Sequence, residues 1–525
     1  LQPSWQTGIR PEGRFRTMNT STSRALSGLA LALVALGAGP LSLLACGDTA
    51  GAPADAGAPD AAPSATATTT TSSTGSSTAD ASPPDGAPPP DAAPPPAPIA
   101  AESSQPLTGA LNPYGLVWGA DGHLYVSGAT LVAGDRQLAV WRIDKTTNRP
   151  DPTFGTNGVV TVAIPGDETS YDLLALKDGS FVVHAVSGGK VWLAKLTKDA
   201  GGVYSFGAPR ALVFGWEDAD FPNWPVAGAT PAYGSWGLAL DSSGAAEKIV
   251  VFASGPPAVV AAGVQRTDAD RWVARLLASD LSNDPAFNGG KPTSADVDGK
   301  ALADNARRGM VEPDGTILSA GYTDFGAGTG VSVALLRLKA DGTPDATFGF
   351  GTTSPGQTKF NPFQASGGSA EAYGVIKQSG GRYVTTGYGA SNLDTPTLEN
   401  DLVSFGLLRD NLDPSYGKLG ALAVQSEKDP AAGKGARKFR DNGRDLVVLA
   451  DDRTVQVGCY DDFASVFVFT KNGALDATFG AGGKLQSTHA APFYKVAISP
   501  DKKRIAATAA TVNDAALLVT LKVGN

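Results

Sequence analysis

The sequence is poor in the residues that cross-link small domains or bind metals. Its 525 residues include only 2 cysteines and 3 histidines. Two cysteines cannot form a framework of several disulfides, so stability must come from burial of apolar surface. The histidines, His123, His184 and His489, lie far apart, without an i, i+4 pair or a neighbouring cysteine. No zinc motif is present, and we expect neither a bound metal nor a cofactor.

An excess of positive charge is also lacking. Lysine and arginine total 42 against 51 aspartates and glutamates, which gives a net charge of −9. A protein that binds a phosphate backbone needs a basic surface, so nucleic acid is not an expected partner. Helical patterning of apolar residues is almost absent, whereas 64 glycines and 37 prolines indicate many short strands joined by turns.

The first apolar run has the features of an export signal. Met18 opens a short polar region that ends at Arg24, and an apolar run follows over residues 25–45. We interpret residues 18–45 as a signal peptide and residues 1–17 as sequence upstream of the true start codon. An uncleaved transmembrane helix is one alternative, although glycines and a proline interrupt the run. A cleaved signal that leaves a soluble protein is another.

The end of this run, Leu43-Leu44-Ala45-Cys46, resembles the lipobox of bacterial lipoproteins. The resemblance implies cleavage before Cys46, a diacylglycerol on its thiol and an acyl chain on its freed amine. Three acyl chains exceed what stable membrane attachment requires. Gly47 stands where an aspartate is associated with inner-membrane retention. The resemblance therefore implies a lipid-anchored protein of the cell envelope, at the outer membrane or the cell surface.

Residues 46–105 are predicted to be a disordered tether that starts at the lipidated cysteine. From residue 47 to residue 105 there is no lysine, arginine or aromatic residue, and alanine, proline, serine and threonine dominate. Such a composition cannot bury enough apolar surface to fold. The proline-rich second half should be extended, at about 3 Å per residue, and should hold the folded part away from the bilayer.

From about residue 110 onward one unit returns seven times. A strand with alternating apolar residues runs into a tight turn, and most of these turns have residues that accept the positive φ of two-residue hairpins. Successive turns are 50 to 71 residues apart. The turns are Asp121-Gly122, Asp178-Gly179, Ser243-Gly244, Asp314-Gly315, Gly380-Gly381, Asp451-Asp452 and Asp501-Lys502.

The strand after each turn has a small residue at its sixth position. A column of small residues in a repeated strand is a packing requirement, which we assign to the stacking of neighbouring sheets. This assignment makes Cys459 a structural residue. The column consists of Gly128, Ala185, Ala253, Gly321, Gly387, Cys459 and Ala509.

A third strand and a short motif complete the unit. Copies of the motif include Asp345-Ala-Thr-Phe348-Gly349 and Asp476-Ala-Thr-Phe479-Gly480. We expect the aspartate to cap a turn and the aromatic ring to plug the end of the hairpin. The segments LRLKADGTPDATFG and FTKNGALDATFG closely resemble the delta-60 repeat family, and the resemblance covers nearly all of residues 110–525. It implies a β-propeller and little about activity.

Residues 106–525 are therefore predicted to form an all-β propeller of seven four-stranded blades, with six or eight blades as alternatives. The last unit stops at Leu521-Lys522-Val523 without a fourth strand. We expect residues around Leu107 to Leu111 to supply it, so that pairing of the two ends of the chain closes the ring.

In propellers, the loops entering the innermost strands line the mouth of the central channel. The aligned position there carries aromatic and arginine residues, which can stack on a polar ligand and hydrogen-bond to it. The structural alternative is that these residues cap each strand as packing residues. The candidate ligand rim is Tyr114, Tyr171, Trp236, Arg307, Tyr373, Arg444 and Tyr494.

A second candidate is the insertion GWEDADFPNW before the third unit. Tryptophan beside carboxylates suits a sugar face or a calcium ion, but the spacing is not that of an EF-hand. A solvated loop is therefore the simpler interpretation. The residues concerned are Trp216, Glu217, Asp218, Asp220 and Trp224.

No residue pattern in the sequence indicates a catalytic site. We expect a monomeric binding module for a glycan, a peptide or an envelope protein. One alternative is a propeller hydrolase or lyase with a carboxylate or calcium site, because the fold does not exclude an enzyme. The other is a structural envelope protein without a small ligand.

Overall fold

The computed structural model describes most of the chain from residue 96 onward. Residues 1–95, with the predicted signal, Cys46 and nearly all of the tether, lie outside the described residues. No helix in the described part is long and apolar enough to cross a membrane. The described ranges are 96–166, 168–187, 190–212, 234–255, 269–297, 303–324, 330–349, 355–364, 368–390, 400–424, 441–513 and 515–524.

The described strands form seven antiparallel sheets, which are the seven four-stranded blades that the repeats predict. Blades 2 and 5 each carry one extra short strand on the third strand. Blades 1 to 3 consist of Leu111–Trp118, Leu124–Val132, Asp135–Ile143 and Val159–Val162; Thr169–Ala175, Phe181–Ser187, Lys190–Lys198, Tyr204–Phe206 and Arg210–Ala211; and Gly234–Asp241, Lys248–Gly255, Asp270–Leu277 and Thr293–Ala295, with a 3-10 turn at Asn288–Gly290.

The other four blades repeat this order from inner to outer strand. Blades 4 to 7 consist of Asp304–Val311, Ile317–Asp324, Val331–Leu338 and Gln357–Phe360; Ala370–Lys377, Arg382–Ala390, Asn400–Leu408, Asn411–Leu412 and Ala421–Val424; Asn442–Val448, Thr454–Tyr460, Phe463–Phe469 and Lys484–Gln486; and Phe493–Ile498, Arg504–Val512, Ala515–Val523 and Ile99–Thr108.

The blades form a closed ring. The inner strand of each blade contacts that of the next, and the inner strand of blade 7 contacts that of blade 1. Separate clusters of buried apolar side chains fill the seven interfaces between neighbouring blades. These clusters bury both faces of each sheet against its neighbours, and the second and third strands are accordingly buried at nearly every position.

The two ends of the chain pair to close this ring, as predicted. Ile99–Thr108 runs antiparallel to Ala515–Val523 as the outer strand of blade 7. It begins seven residues before the predicted boundary at residue 106. This earlier start was not predicted, because residues 100–105 are small or polar and mostly exposed and therefore give no apolar signal. Leu107 is buried, and Pro106 is tolerated because the strand lies at the edge of its sheet.

The predicted turns and motifs have the expected conformations. Positive φ angles occur at Gly122, Gly179, Gly315, Gly381, Asp452 and Lys502, which are the second residues of six of the seven turns. In the repeated motif, Asp345 accepts a hydrogen bond from the Thr347 N–H at 3.0 Å, and Phe348 is buried. The Arg337 guanidinium lies 5.7 Å from the centre of the Phe348 ring and 3.3 Å from the Asp345 carboxylate.

Candidate functional site

A break in strand register lies at the predicted rim position of every inner strand. Such bulges re-aim side chains and are common beside functional sites. Each rim residue falls inside one of them. The breaks lie between Leu111 and Gly115, Ser170 and Asp172, Ser235 and Gly237, Ala306 and Gly309, Ala372 and Gly374, Gly443 and Asp445, and Phe493 and Lys495.

These bulges also explain the column of small residues on the second strands. A Cβ on Gly321 would lie 1.9 Å from the carbonyl oxygen of Asn305, which precedes the bulge of the same blade. Gly387 stands in the same relation to Glu371 in blade 5. At these glycines the predicted packing requirement is real, but it arises within the blade rather than between neighbouring sheets. In blade 6 the equivalent position is Gly458, where a Cβ would lie 1.9 Å from the carbonyl oxygen of Asn442. The predicted column was therefore wrong by one residue in this blade, and Cys459, which is fully buried, follows the position.

Three of the predicted rim residues form a tyrosine row across blades 7, 1 and 2. The ring of Tyr114 lies 4.3 Å from that of Tyr494 and 6.0 Å from that of Tyr171, measured between centroids. All three side chains are half-buried and keep some accessible surface. Burial raises the pKa of Tyr171 to about 12 and that of Tyr114 further, so both phenols are neutral at physiological pH.

The opposite side of the rim is closed by two arginines and a tyrosine. The Arg444 and Arg307 guanidinium groups lie 4.4 Å and 4.6 Å from the centre of the Tyr373 ring. The exposed fractions are 1% for Tyr373, 3% for Arg307 and 4% for Arg444. Arg444 also lies 5.1 Å from the Tyr494 ring and joins the two sides. These three residues pack as capping residues and offer little surface to a ligand.

The charge of Arg307 is neutralised within the protein. Its Nε donates a hydrogen bond to the fully buried carboxylate of Glu371 at 2.5 Å. Its guanidinium also lies 5.3 Å from the centre of the Tyr322 ring. Burial raises the pKa of Tyr322 above its ordinary value, so this phenol too is neutral. An arginine held in this way is poorly suited to capturing an anionic ligand.

The remaining candidates lie beyond the described structure. The side chain of Trp236 is outside the described residues, although its strand, Gly234–Asp241, is part of blade 3. The insertion with Trp216 and Trp224 lies wholly in the range 213–233, which is also outside the described residues. The structure thus brings together six of the seven predicted rim residues.

Sequence reasoning missed the next position of each inner strand, which forms a charged tier below the rim. Four charged residues and three glycines occupy it. Lys495 of blade 7 reaches across blade 1 to Asp172 of blade 2, with Nζ 2.9 Å from Oδ1, and lies 3.6 Å from Asp445 of blade 6. The tier consists of Gly115, Asp172, Gly237, Arg308, Gly374, Asp445 and Lys495.

The charges of this tier balance one another. Burial alone would raise the pKa of Asp172, but Lys495, Arg308 and the Leu238 N–H lower it below its ordinary value. Arg308 donates a hydrogen bond to the Arg444 carbonyl at 3.0 Å and so connects the tier to the rim. A Cβ on Gly237 would lie 2.8 Å from the Arg308 Cγ, so this glycine makes room for the arginine.

A cavity of about 230 Å³ lies beside the charged tier. Charged members of the tier form part of its wall, and apolar side chains of blades 3 to 7 form most of the rest. The apolar lining residues are Leu238, Met310, Val375, Ile376, Leu446, Val447 and Val496. The paired charges of the tier lie between this cavity and the rim.

A histidine also lies beside the channel. His184, on the second strand of blade 2, is fully buried, and its ring centroid is 6.0 Å from that of Tyr171. Burial lowers its pKa to about 4, so the ring is neutral at physiological pH. Alignment of the repeats at the rim position did not identify His184, because this residue lies on the second strand of its blade and the rim position lies on the first.

The comparison with protein families supports the β-propeller fold and indicates no function. A family model described as "Domain of unknown function (DUF5122) beta-propeller" matches residues 312–348, which include the second and third strands of blade 4 and its Asp345–Phe348 motif. No curated protein matches the chain.

Several solved structures are similar over most of the chain. A PQQ-bound aldose sugar dehydrogenase from Streptomyces coelicolor is 12% identical, with 80% of this chain and 98% of that chain covered and a TM-score of 0.33. The polysaccharide lyase Uly1 is 10% identical, with 81% and 99% covered and a TM-score of 0.42. Hydrazine synthase from Kuenenia stuttgartiensis is 11% identical, with 78% and 96% covered and a TM-score of 0.45. Likeness at this level carries no functional argument.

Proposed function

We propose that the protein is a cell-envelope lipoprotein whose propeller binds a glycan through Tyr114, Tyr171 and Tyr494. The observation that carries the proposal is the accessible row of three tyrosine rings at the mouth of the channel. Tyrosine faces stack on the C–H faces of sugars, and their hydroxyl groups hydrogen-bond to sugar hydroxyls. The proposal narrows the rim of seven predicted residues to the three that keep accessible surface.

The charges around the row favour a neutral, hydroxylated ligand. Arg307 is paired with Glu371, and Arg444 is buried between the rings of Tyr373 and Tyr494. Neither guanidinium is presented to solvent, so these two rim arginines offer no exposed charge to a phosphate or a carboxylate. We therefore favour a neutral glycan over an anionic one and over an acidic peptide.

The place where the predicted tether joins the propeller, just before Ile99, supports display of this mouth. Ile99 pairs with Val523, close to the tight turns that join first and second strands. The inner strands begin, and the tyrosine row lies, at the opposite end of the propeller, where Pro106 pairs with Leu517. A lipid on Cys46 would thus hold the propeller by the end that is remote from the row. The sequence resemblances to a lipobox and to delta-60 repeats are part of this proposal.

Binding can be tested on a glycan array with protein in which Cys46→Ser prevents lipidation. We expect the unlipidated protein to bind a restricted group of neutral glycans and Tyr494→Ala to lose most of this signal. The matched control is Phe206→Ala, which removes a half-buried aromatic ring from a short strand at the outside of blade 2. Equal binding by the Tyr494 and Phe206 variants would refute the proposed surface, and failure to bind any glycan would refute the ligand class.

The anchor can be tested by fractionation of cells that express the full chain. We expect the unaltered protein to be in the membrane fraction and to incorporate labelled palmitate. Cys46→Ser should be exported without the label and should leave the membrane fraction, because the attachment site for all three chains depends on this residue. Ser64→Ala, in the predicted tether, is the control. Unlabelled wild-type protein, or membrane retention of Cys46→Ser, would contradict the lipid anchor.

A further inference from the structure

The cavity beside the charged tier has in its wall an arginine without a carboxylate partner. Arg308 is 5% exposed, and its Nη1 donates a hydrogen bond to the Arg444 carbonyl at 3.0 Å. Its Nε is enclosed and has no hydrogen-bond partner. Among the residues that the structure describes, no carboxylate forms a salt bridge with this guanidinium. A buried guanidinium in this state is costly unless an anionic group occupies the space beside it.

The two aspartates of the charged tier make their direct contacts with the lysine instead. Asp172 attracts Arg308, which helps to lower the pKa of Asp172, but its Oδ1 lies 2.9 Å from the Lys495 Nζ. Oδ2 of Asp445 accepts a hydrogen bond from the Val496 N–H at 3.1 Å and lies 3.6 Å from the same Nζ. The tier is therefore balanced in total charge, while its arginine has no ion-pair contact.

Asp445 adds a group of opposite charge to the same wall. It is 6% exposed and directly follows Arg444, whose carbonyl binds Arg308, so the two charged groups are neighbours. Its Oδ1 lies 3.7 Å from the position that a Cβ on Gly374 would occupy, and this glycine also lines the cavity. No donor of the described residues hydrogen-bonds to this oxygen. The wall thus holds a buried donor group and a buried acceptor group side by side.

The rest of the cavity is apolar and large enough for a small organic molecule. Its volume is about 230 Å³, and apolar side chains of blades 3 to 7 form most of its lining. A cavity of about 150 Å³ can hold benzene, so this one has room for a molecule somewhat larger. An apolar pocket with a few convergent polar groups is the usual form of a small-molecule site.

We propose that this cavity binds a free apolar α-amino acid of the size of valine or leucine. Its carboxylate would accept hydrogen bonds from the Arg308 guanidinium, its ammonium group would donate to Oδ1 of Asp445, and its side chain would contact the apolar lining. A simple anion would place its charge beside Asp445, and a simple cation would place its charge beside Arg308. A zwitterion pairs with both groups and leaves the tier neutral. The charged tier lies between this cavity and the tyrosine row, so the proposal does not depend on glycan binding.

Calorimetric titration and thermal unfolding of the Cys46→Ser protein test this site. The probes are L-leucine, isocaproate, which is leucine without its ammonium group, and isoamylamine, which is leucine without its carboxylate. We expect one equivalent of leucine to bind and the Tm to rise by at least about 2 °C at saturation. Isocaproate and isoamylamine should each bind at least about tenfold more weakly, because each leaves one buried charge of the wall without its partner.

Two variants assign the ends of the ligand. Arg308→Met removes the guanidinium at similar length and should weaken leucine binding at least about tenfold, while binding of isoamylamine stays unchanged. Asp445→Asn should weaken leucine binding in the same way, while binding of isocaproate is not reduced. A merely structural role of either residue would weaken all three probes alike. The control is Arg409→Met, which removes an arginine of blade 5 whose side chain is 60% exposed, and it should bind leucine as the parent protein does.

Should either charge variant fail to fold, Met310→Phe replaces it. Met310 is half-buried and lines the cavity, so a larger side chain there should occupy part of the space and weaken leucine binding at least about tenfold. Absence of leucine binding by the parent protein would leave the cavity to water and overturn the proposal. Equal affinity for leucine and either analogue, or equal weakening of all three probes by Arg308→Met, would overturn it as well.

Discussion

A chain that starts at residue 109 should not form a stable monomer, whereas one that starts at residue 96 should. The shorter chain lacks Ile99–Thr108, whose pairing with Ala515–Val523 closes the ring. It loses a full ladder of hydrogen bonds and the burial of Leu107, on the order of 5–10 kcal/mol, which is comparable to the whole stability of a domain. The measurement is thermal unfolding followed by circular dichroism, together with size-exclusion chromatography.

Loss of the closing strand should also cause aggregation. Leu518 and Leu521 would then lie on an unpaired apolar edge strand, which is a template for association. A synthetic peptide of residues 96–110 added during refolding should restore monomeric protein. If the chain from residue 109 unfolds at the same temperature as the chain from residue 96, closure by the N-terminal strand does not hold the propeller together.

Lys495→Met should lower the free energy of unfolding by about 3–5 kcal/mol at pH 8, which is the usual cost of leaving a buried charge without its partner. Lys495 contacts the carboxylates of Asp172 and Asp445, and Asp172 is 0% exposed. Arg308 alone cannot balance both carboxylates. Chemical denaturation of wild type and variant at several pH values measures the effect, and Lys503→Met, an exposed lysine of the same blade, is the control.

The loss of stability in Lys495→Met should depend on pH, and the pKa of Asp172 determines the direction of that dependence. In the wild type the pKa of Asp172 is lowered. The ionised Asp172 carboxylate therefore contributes to stability at neutral pH, and this contribution is lost only as pH falls below about 4. Without Lys495, burial should raise the pKa of Asp172 instead. As pH falls, protonation of the Asp172 carboxylate should then remove the unpaired buried charge and restore part of the stability of the variant. The deficit should therefore be smaller at pH 5 than at pH 8, and Asp172→Asn should partly rescue Lys495→Met. A deficit that is constant with pH would show that Lys495 acts through packing alone.

Most of the fold follows from the sequence because each blade repeats the same local signals. The turns at Gly315 and Gly381 need a positive φ, and Phe348 must be buried over its hairpin, so these signals are independent of distant parts of the chain. Closure was predictable because the last unit lacks a strand. The start of that strand at Ile99 was not, because residues 100–105 are small or polar and so give no apolar pattern.

The position of the candidate site can be predicted from the sequence, but the solvent exposure of its side chains cannot. Aligning the repeats placed Tyr114, Tyr373 and the other rim residues at one level, and the structure groups them there. Whether a side chain is half-exposed like Tyr114 or buried like Tyr373 depends on which neighbours fill the mouth, and no single repeat contains that information. The charged tier could have been predicted from the sequence, because charged residues such as Asp172 and Lys495 interrupt the apolar inner strands one position after the rim.

Contacts between residues of different blades could not be predicted from the sequence. The carboxylates of Asp270, Asp296 and Asp304, which have oxygens within 4.8 Å of one another, are an example. Asp270 and Asp304 are 34 residues apart in different blades, and neither belongs to a recognised metal motif. Only the antiparallel return of each strand to the mouth end brings them together. Sites assembled from several blades are invisible to any search that examines one repeat at a time.

The central claim is that the tyrosine row at the mouth is a glycan-binding surface. Isothermal titration of the array-selected glycan into wild type, Tyr114→Ala and Phe206→Ala tests it most directly, with Tm measured for each protein. Loss of ring stacking and a hydroxyl contact predicts about 10- to 30-fold weaker binding for Tyr114→Ala, and unchanged binding for Phe206→Ala. Affinity that Tyr114→Ala leaves unchanged in a folded protein would contradict the claim.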